Sequence, residues 1–476
     1  MAAEDRRLAV SGPFRRKPIG TEEEDQGGLQ RSIGLWQLTA IGLGAIIGAG
    51  IFTLAGGVAK TVAGPGVTIS FLLAGVASAC AALSYAEFGG LIPKAGSAYT
   101  YGYAVLGEVV GWFIGWDLLL EYTAIVGVVA IAVSGYLTFL LQNFGLQLPA
   151  WMLGAPGTGS GHIVDLAAVL LCLLVAFLLN RGIRSSARIE TALVFVKIAI
   201  VVAVIVVGAF YIRTGNFQPY LPFGFGGAVT GAATVFFAVF GYDAMSTAAE
   251  ESKDAQRILP KAIILSLAIA MVLYLLAATV LTGMQPYARL DATRAFSVAF
   301  QNVGQGAFAQ LVAVGAIIGI VTVLFSFTLG ASRIWYAISR DGLLPGWFAK
   351  TNRNASPYRP TWIVGIVAAG IAGFTPILQA AELTNIGILL AFVVVSAAVI
   401  VLHYRSPELP RTFRCPAMPF IPLLGIAFSL WLITKLQPVT WLRFVVWFAI
   451  GLVIYWLYGY AHSRLGHGEV VETPGA

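Results

Sequence analysis

The sequence predicts an all-α integral membrane protein with twelve transmembrane helices. Of its 476 residues, 58% are hydrophobic and only 11% are charged, more apolar surface than a soluble domain of this length can bury. Apolar segments lie near residues 37–60, 66–92, 105–141, 163–181, 190–212, 228–249, 260–284, 308–338, 361–380, 385–404, 418–437 and 441–462, and a spanning helix needs about 20 such residues. Basic residues are distributed unevenly between the loops: with the N-terminus inside, 22 of the 29 lysines and arginines fall on the cytosolic side and six on the other. That bias sets orientation and puts both termini in the cytosol.

The segments read as helices because lipid leaves only helices and closed barrels with a satisfied backbone, and these runs lack the period-two alternation of barrel strands. Residues 1–33 are polar, carry six basic residues and the run Glu22-Glu23-Glu24-Asp25, and are expected to form a disordered cytosolic arm with no cleavable signal peptide. The third segment exceeds the thickness of a bilayer and is expected to tilt or to extend into solvent. Residues 464–476 form a cytosolic tail.

The formal charge of +7 does not point to nucleic acid, since the basic residues sit in short loops. Cys80, Cys172 and Cys415 match no metal spacing and read as small packing residues. No zinc-protease pair, nucleophile elbow or phosphate loop appears, so neither an enzyme nor a cofactor is expected. A channel would need a continuous polar pore, which these apolar spans do not supply.

Lys197 stands inside an apolar run that continues to Phe210 without another charge. A charge near mid-bilayer costs about 2.5–3.5 kcal/mol on insertion scales, and such residues usually face a bundle interior and handle protons or ions. Lys197 lies nine residues beyond Arg188, about 13 Å deep at the helical rise, so snorkelling along its stem is the competing reading.

Two segments are interrupted by glycine. The first carries Gly42, Gly44, Gly48 and Gly50, and the sixth carries Gly241 beside Asp243. Each glycine weakens a helix by about 1 kcal/mol relative to alanine. Interrupted helices in corresponding places of two halves point to the binding site of an inverted-repeat transporter, where freed N–H groups can meet a carboxylate and freed carbonyls a cation. Close helix packing through small residues is the alternative for Gly44 and Gly48.

The stretch Gly42-Leu43-Gly44-Ala45-Ile46-Ile47-Gly48-Ala49-Gly50-Ile51-Phe52 resembles the first-helix signature of amino acid–polyamine–organocation transporters. So do Ser84-Tyr85-Ala86-Glu87-Phe88 and Pro93-Lys94-Ala95-Gly96-Ser97-Ala98-Tyr99. The segments Gly115-Trp116-Asp117-Leu118-Leu119-Leu120-Glu121-Tyr122, Phe240-Gly241-Tyr242-Asp243-Ala244-Met245-Ser246-Thr247-Ala248-Ala249-Glu250-Glu251 and Ile338-Ser339-Arg340-Asp341-Gly342-Leu343-Leu344-Pro345 are similar to the cationic amino acid transporter branch. The match spans about residues 33 to 463.

This resemblance implies a leucine-transporter-like core of five plus five helices related by inversion, with helices 1 and 6 broken and helices 11 and 12 appended. The first repeat would cover residues 34–212, the second 213–404 and the last helices 405–463. It implies amino acid uptake across the plasma (inner) membrane by alternating access, with Lys197 in place of the sodium ion of sodium-coupled relatives and protons as the coupling partner. Gradient-independent exchange and a non-transporting receptor remain open on the same fold. Beyond the amino acid, protons and the bilayer, a small membrane subunit stays open as a partner, and oligomeric state is not fixed.

The same resemblance assigns the substrate carboxylate to backbone near Gly48, Ala49 and Gly50, and the ammonium to carbonyls near Ile46, Phe237, Ala238 and Phe240. Ala49 stands where relatives often carry a hydroxyl. Glu121 shares a helix face with Asp117 and reads either as a substrate-facing carboxylate or as a structural partner. Asp243 reads as a receiver of a proton or cationic side chain, or as a helix cap. Phe327, flanked by Thr322, Ser326 and Thr328, either shortens the pocket in favour of small neutral substrates or faces lipid. Trp116 and Tyr122 either line the site or pack. Glu87, Glu250 and Glu251 read as solvated interface charges or gate partners.

Overall fold

A computed structural model of the chain describes residues 12–16, 33–91, 97–182, 187–243, 245, 252–352 and 357–467. These residues are helical throughout, with only two isolated bridges, Ile33 with Ser252 and Leu153 with Asp165. Seven helical stretches are long and apolar enough to cross a membrane, and three shorter apolar helices accompany them, which makes this a multi-pass membrane protein.

The first helix, α1 (Leu35–Ile46), stops at Ile47, whose backbone is extended, and the chain resumes as a wide-turn helix Gly50–Leu54 that continues through α2 (Ala55–Val58) and Ala59–Ala63. Helix α3 (Val67–Leu91) is followed by the short α4 (Ser97–Val105) and by α5 (Glu108–Asn143). At 36 residues α5 fulfils the expectation of an overlong third segment. Helix α6 (Leu166–Asn180) is capped by Asp165, whose carboxylate accepts the Ala168 amide at 3.0 Å, satisfying one of the free first-turn donors.

Helix α7 (Ala187–Ala209) carries Lys197. Helix α8 (Gly224–Val235) tightens into a 3₁₀ turn, Phe236–Val239, and ends at an extended Phe240 and at Gly241 with φ +120°. Then come α9 (Ala255–Met284), α10 (Ala295–Asn302), α11 (Gly306–Arg340), α12 (Tyr358–Phe374), α13 (Ile377–Arg405), α14 (Phe420–Ile433), α15 (Pro438–Ile454) and the single turn α16 (Tyr460–His462).

Packing sorts the helices into two groups. In one, α1 and α3 pack on α9, and α3 also packs on α8; in the other, α5, α6, α11 and α12 pack on one another. Helix α7 touches α1, α9 and α11, and α13 touches α5, α3 and α14, so both bridge the groups. The candidate site lies between the groups, where α1 and α8 are interrupted.

Candidate functional site

The two interruptions meet backbone to backbone. A Cβ on Gly50 would fall 2.3 Å from the Ala238 Cβ, and one on Gly241 would fall 2.9 Å from the carbonyl carbon of Ala45. Side chains of any size at these positions would hold the two breaks apart. Beside them lies a narrow cavity of about 10 Å³ lined by Ala45, Ile46, Gly48, Ala49, Ile125, Phe237, Phe240, Val323 and Phe327. That is room for about one water, so a substrate fits here only if the walls part.

Freed carbonyls around the breaks are taken up one by one. Lys197, fully buried, donates from Nζ to Gly44 O at 2.6 Å and to Ile47 O at 3.1 Å. Its stem lies against Gly319 of α11, where a Cβ would come 2.5 Å from the lysine Cγ. The lysine therefore does not snorkel: it points into the protein and ends on the α1 break. Tyr274 of α9 donates to Ile46 O at 2.6 Å, and Ser78 of α3 donates to Val239 O at 2.9 Å. Asn385 of α13 donates from Nδ2 to Ala233 O at 2.8 Å and to Thr234 O at 2.9 Å, closing the last turn of α8.

Of the residues singled out by sequence, Ile46, Gly48, Ala49, Phe237, Phe240 and Phe327 line the cavity. Gly50 and Ala238 do not line it; they touch each other just behind it. The Ile46 carbonyl accepts from Tyr274. Phe327 is buried and its ring meets the Tyr122 ring edge-on at 5.1 Å, so it faces the interior and not lipid.

The carboxylates stand back from the cavity. Asp243 accepts from the Tyr122 hydroxyl at 2.7 Å, and the Tyr122 ring packs on Phe327, which lines the cavity. Glu121 is fully buried, one helical turn from the lining residue Ile125, and neither of its oxygens has a hydrogen-bond partner among the described residues. A buried polar group without partners is costly, which sets Glu121 apart from ordinary packing residues.

Several expectations are corrected. Thr322, Ser326 and Thr328 bond back to Gly319 O, Thr322 O and Leu324 O on their own helix and do not line the cavity. Trp116 takes the packing alternative: it stacks on Trp447 at 4.4 Å and donates to its carbonyl, tying α5 to α15. Glu87 is no solvated charge: it is fully buried, accepts from Arg411 Nε at 2.8 Å and from the Cys415 amide at 2.8 Å. Glu250, Glu251 and residues 93–96 lie outside the described residues.

Tyr274, Ser78 and Asn385 were not anticipated. Each is a neutral polar residue, a weaker signal than a charge because burying it costs little once it is hydrogen-bonded.

Two interrupted helices closed around a small apolar cavity in a multi-pass bundle are the features of a secondary transporter and not of an enzyme. Comparison with known proteins agrees. Residues 33–460 match the family described as "Amino acid permease". The chain is 46% identical to the methylthioribose transporter of Bacillus subtilis (strain 168), over 96% of this chain and 100% of that one. It is 44% identical to the branched-chain amino acid permease BcaP of the same organism (95% and 98% covered) and 31% identical to the vacuolar cationic amino acid transporter 4 of Arabidopsis thaliana (94% of each). The chain belongs to the amino acid permease family, within the amino acid–polyamine–organocation superfamily.

Proposed function

We propose that this protein imports small neutral L-amino acids across the plasma membrane by proton-coupled alternating access. On this reading the chain crosses the membrane twelve times with both termini in the cytosol. Its first ten spans form two inverted five-helix repeats, and the described helix groups are the bodies that rock around the cavity. The observation that carries the coupling is the pair of hydrogen bonds from Lys197 to Gly44 and Ile47. An ammonium there occupies the freed carbonyls a metal cation would need, and two cations at such a spacing repel strongly in a low-dielectric interior. Rocking of α1 changes what the ammonium bonds to, and so changes the cost of its charge.

The cavity supports the substrate class. The substrate's carboxylate would sit at Gly48 and Ala49, and its ammonium near Ile46, Phe237 and Phe240. The side chain would point towards Ile125, Val323 and Phe327, which are apolar. No carboxylate lines that wall, so a lysine or arginine side chain would be buried unpaired, at a cost of several kcal/mol, of order 3–5.

A second reading has its own support. One relative of high identity is named for methylthioribose, a neutral thioether without carboxylate or ammonium, and an apolar wall would accept it too. Purified protein in proteoliposomes, given labelled alanine, leucine, arginine or methylthioribose under an inward proton gradient, separates these. Accumulation of alanine or leucine supports the proposal; accumulation of methylthioribose alone contradicts it. Uptake only against preloaded substrate, regardless of pH, would mean exchange.

A further inference from the structure

On the face that holds residues 12–16 and 455–467, one buried carboxylate gathers donors from three separate parts of the chain. Glu108, the first residue of α5, is fully buried. Arg15 grips it with Nε on Oε2 and Nη2 on Oε1, both at 2.7 Å, the paired geometry that suits a guanidinium. Tyr103 of α4 donates to Oε2 at 2.8 Å, Tyr455 donates to Oε1 at 3.0 Å, and the Ser463 hydroxyl donates to Oε2. Arg15 also donates to Tyr460 O at 3.1 Å and lies 5.2 Å over that ring.

The backbone completes the joint. The amides of Glu108 and Val109, which have no partners inside α5, donate to the carbonyls of Arg15 and Pro13 at 2.9 Å each. Gly107 has φ +110°, and a Cβ there would lie 2.8 Å from Phe14 backbone. Residues 12–16 therefore cap α5, although they belong to the arm that the sequence suggested was disordered.

The position of this joint is informative. Helix α4 connects α3, in one helix group, to α5, in the other, and Tyr99 further ties it to Asp341 at the end of α11 at 2.6 Å. The arm is a second connector. Its inner end is fastened beside α9 by the Lys253 amide donating to Ile33 O at 2.9 Å, and its outer end is fastened to α5 by Arg15. Among the described residues, α4 through Tyr103 and the arm through Arg15 both meet at Glu108.

We propose that residues 12–16 are a clasp, with Arg15 as its pin and Glu108 as its socket, whose engagement holds this face closed and whose release frees the α1 group to move. The inference rests on the alternating-access reading. Its test reads conformation without substrate, so the two can fail separately.

The test places a reporter thiol at Ser252→Cys, a buried position paired with Ile33, and measures its labelling by a membrane-impermeant maleimide against protein without the reporter. Arg15→Ala and a chain lacking residues 2–16 should label at least about threefold faster, a shift typical of a modest population change. Arg15→Lys should fall between, because it keeps the charge and loses the paired geometry. A synthetic peptide of residues 2–17 should slow labelling of the truncated chain, and the same peptide with Arg15→Ala should not. Unchanged labelling in Arg15→Ala and in the truncated chain would overturn the clasp and leave a passive helix cap. If Arg15→Ala does not fold, the peptide titration decides, and absence of any slowing overturns the proposal.

Discussion

The side-chain nitrogen of the fully buried Lys197 lies 2.6 Å from the carbonyl oxygen of Gly44, so this lysine ends on the helix that breaks at the candidate site. A helix interruption leaves carbonyls without partners, and a buried ammonium needs acceptors. Each group answers the other's requirement. This relationship ties the state of the lysine to the position of α1, and any motion that separates α1 from α7 must leave one of them unsatisfied.

Phe327 lines the cavity and packs edge-on against Tyr122, which donates to Asp243. Phe327→Ser should open a path from the cavity to the Asp243 carboxylate and admit a cationic side chain. Inhibition of labelled alanine uptake by arginine should then improve by about tenfold or more, equivalent to about 1.4 kcal/mol. No change in arginine inhibition would mean that the substrate side chain does not point at Phe327.

Gly50 touches Ala238 across the two breaks. Gly50→Ala introduces a Cβ that would sit 2.3 Å from the Ala238 Cβ and 2.5 Å from its Cα, contacts that only a backbone shift can relieve. Transport should fall sharply, and Ala238→Gly in the same chain should restore part of it. Full activity of the single variant would show that the breaks tolerate separation.

Asn385 supplies two hydrogen bonds to the end of α8. Asn385→Ala should destabilise the purified protein by about 1–3 kcal/mol, the usual cost of stranding buried carbonyls. Asn385→Leu should be no better, since it fills space without donating. Thermal unfolding in detergent measures both, and an unshifted midpoint would remove Asn385 from the architecture of the site.

Arg411 and Glu87 form a buried pair, with side chains 1% and 0% exposed. Arg411→Ala strands a buried carboxylate and should cost about 3–5 kcal/mol. Combining it with Glu87→Gln should recover part of that loss, because the stranded charge is gone. Equal instability of the single and double variants would argue that Arg411 matters through its bonds to Leu402 O and Ser406 O instead.

What the sequence made legible follows from how steep each penalty is. Lys197 was visible because a charge in a long apolar run is expensive in lipid, and the break at Ile47–Gly48 because four glycines stand close together in one span. The inward face of Phe327 was not visible: core and lipid are both apolar, so periodicity carries little information about which way an aromatic points. Tyr274 and Asn385 escaped for the related reason that a neutral donor whose hydrogen bonds are made costs little to bury. Thr322, Ser326 and Thr328 beside Phe327 satisfy themselves on the preceding turn, as hydroxyls in membrane helices do. Glu87 looked like an interface charge because its partner, Arg411, is 324 residues away in sequence.

The central claim is that Lys197 couples substrate movement to the proton gradient. The direct measurement is accumulation of labelled alanine in proteoliposomes under an imposed inward proton gradient, for wild type and for Lys197→Ala, with counterflow against internal alanine measured alongside. The account predicts gradient-driven accumulation by wild type and its loss in Lys197→Ala, while the substrate still binds. Gradient-driven accumulation by Lys197→Ala equal to that of wild type would contradict it and leave the lysine as a structural cation at the helix break.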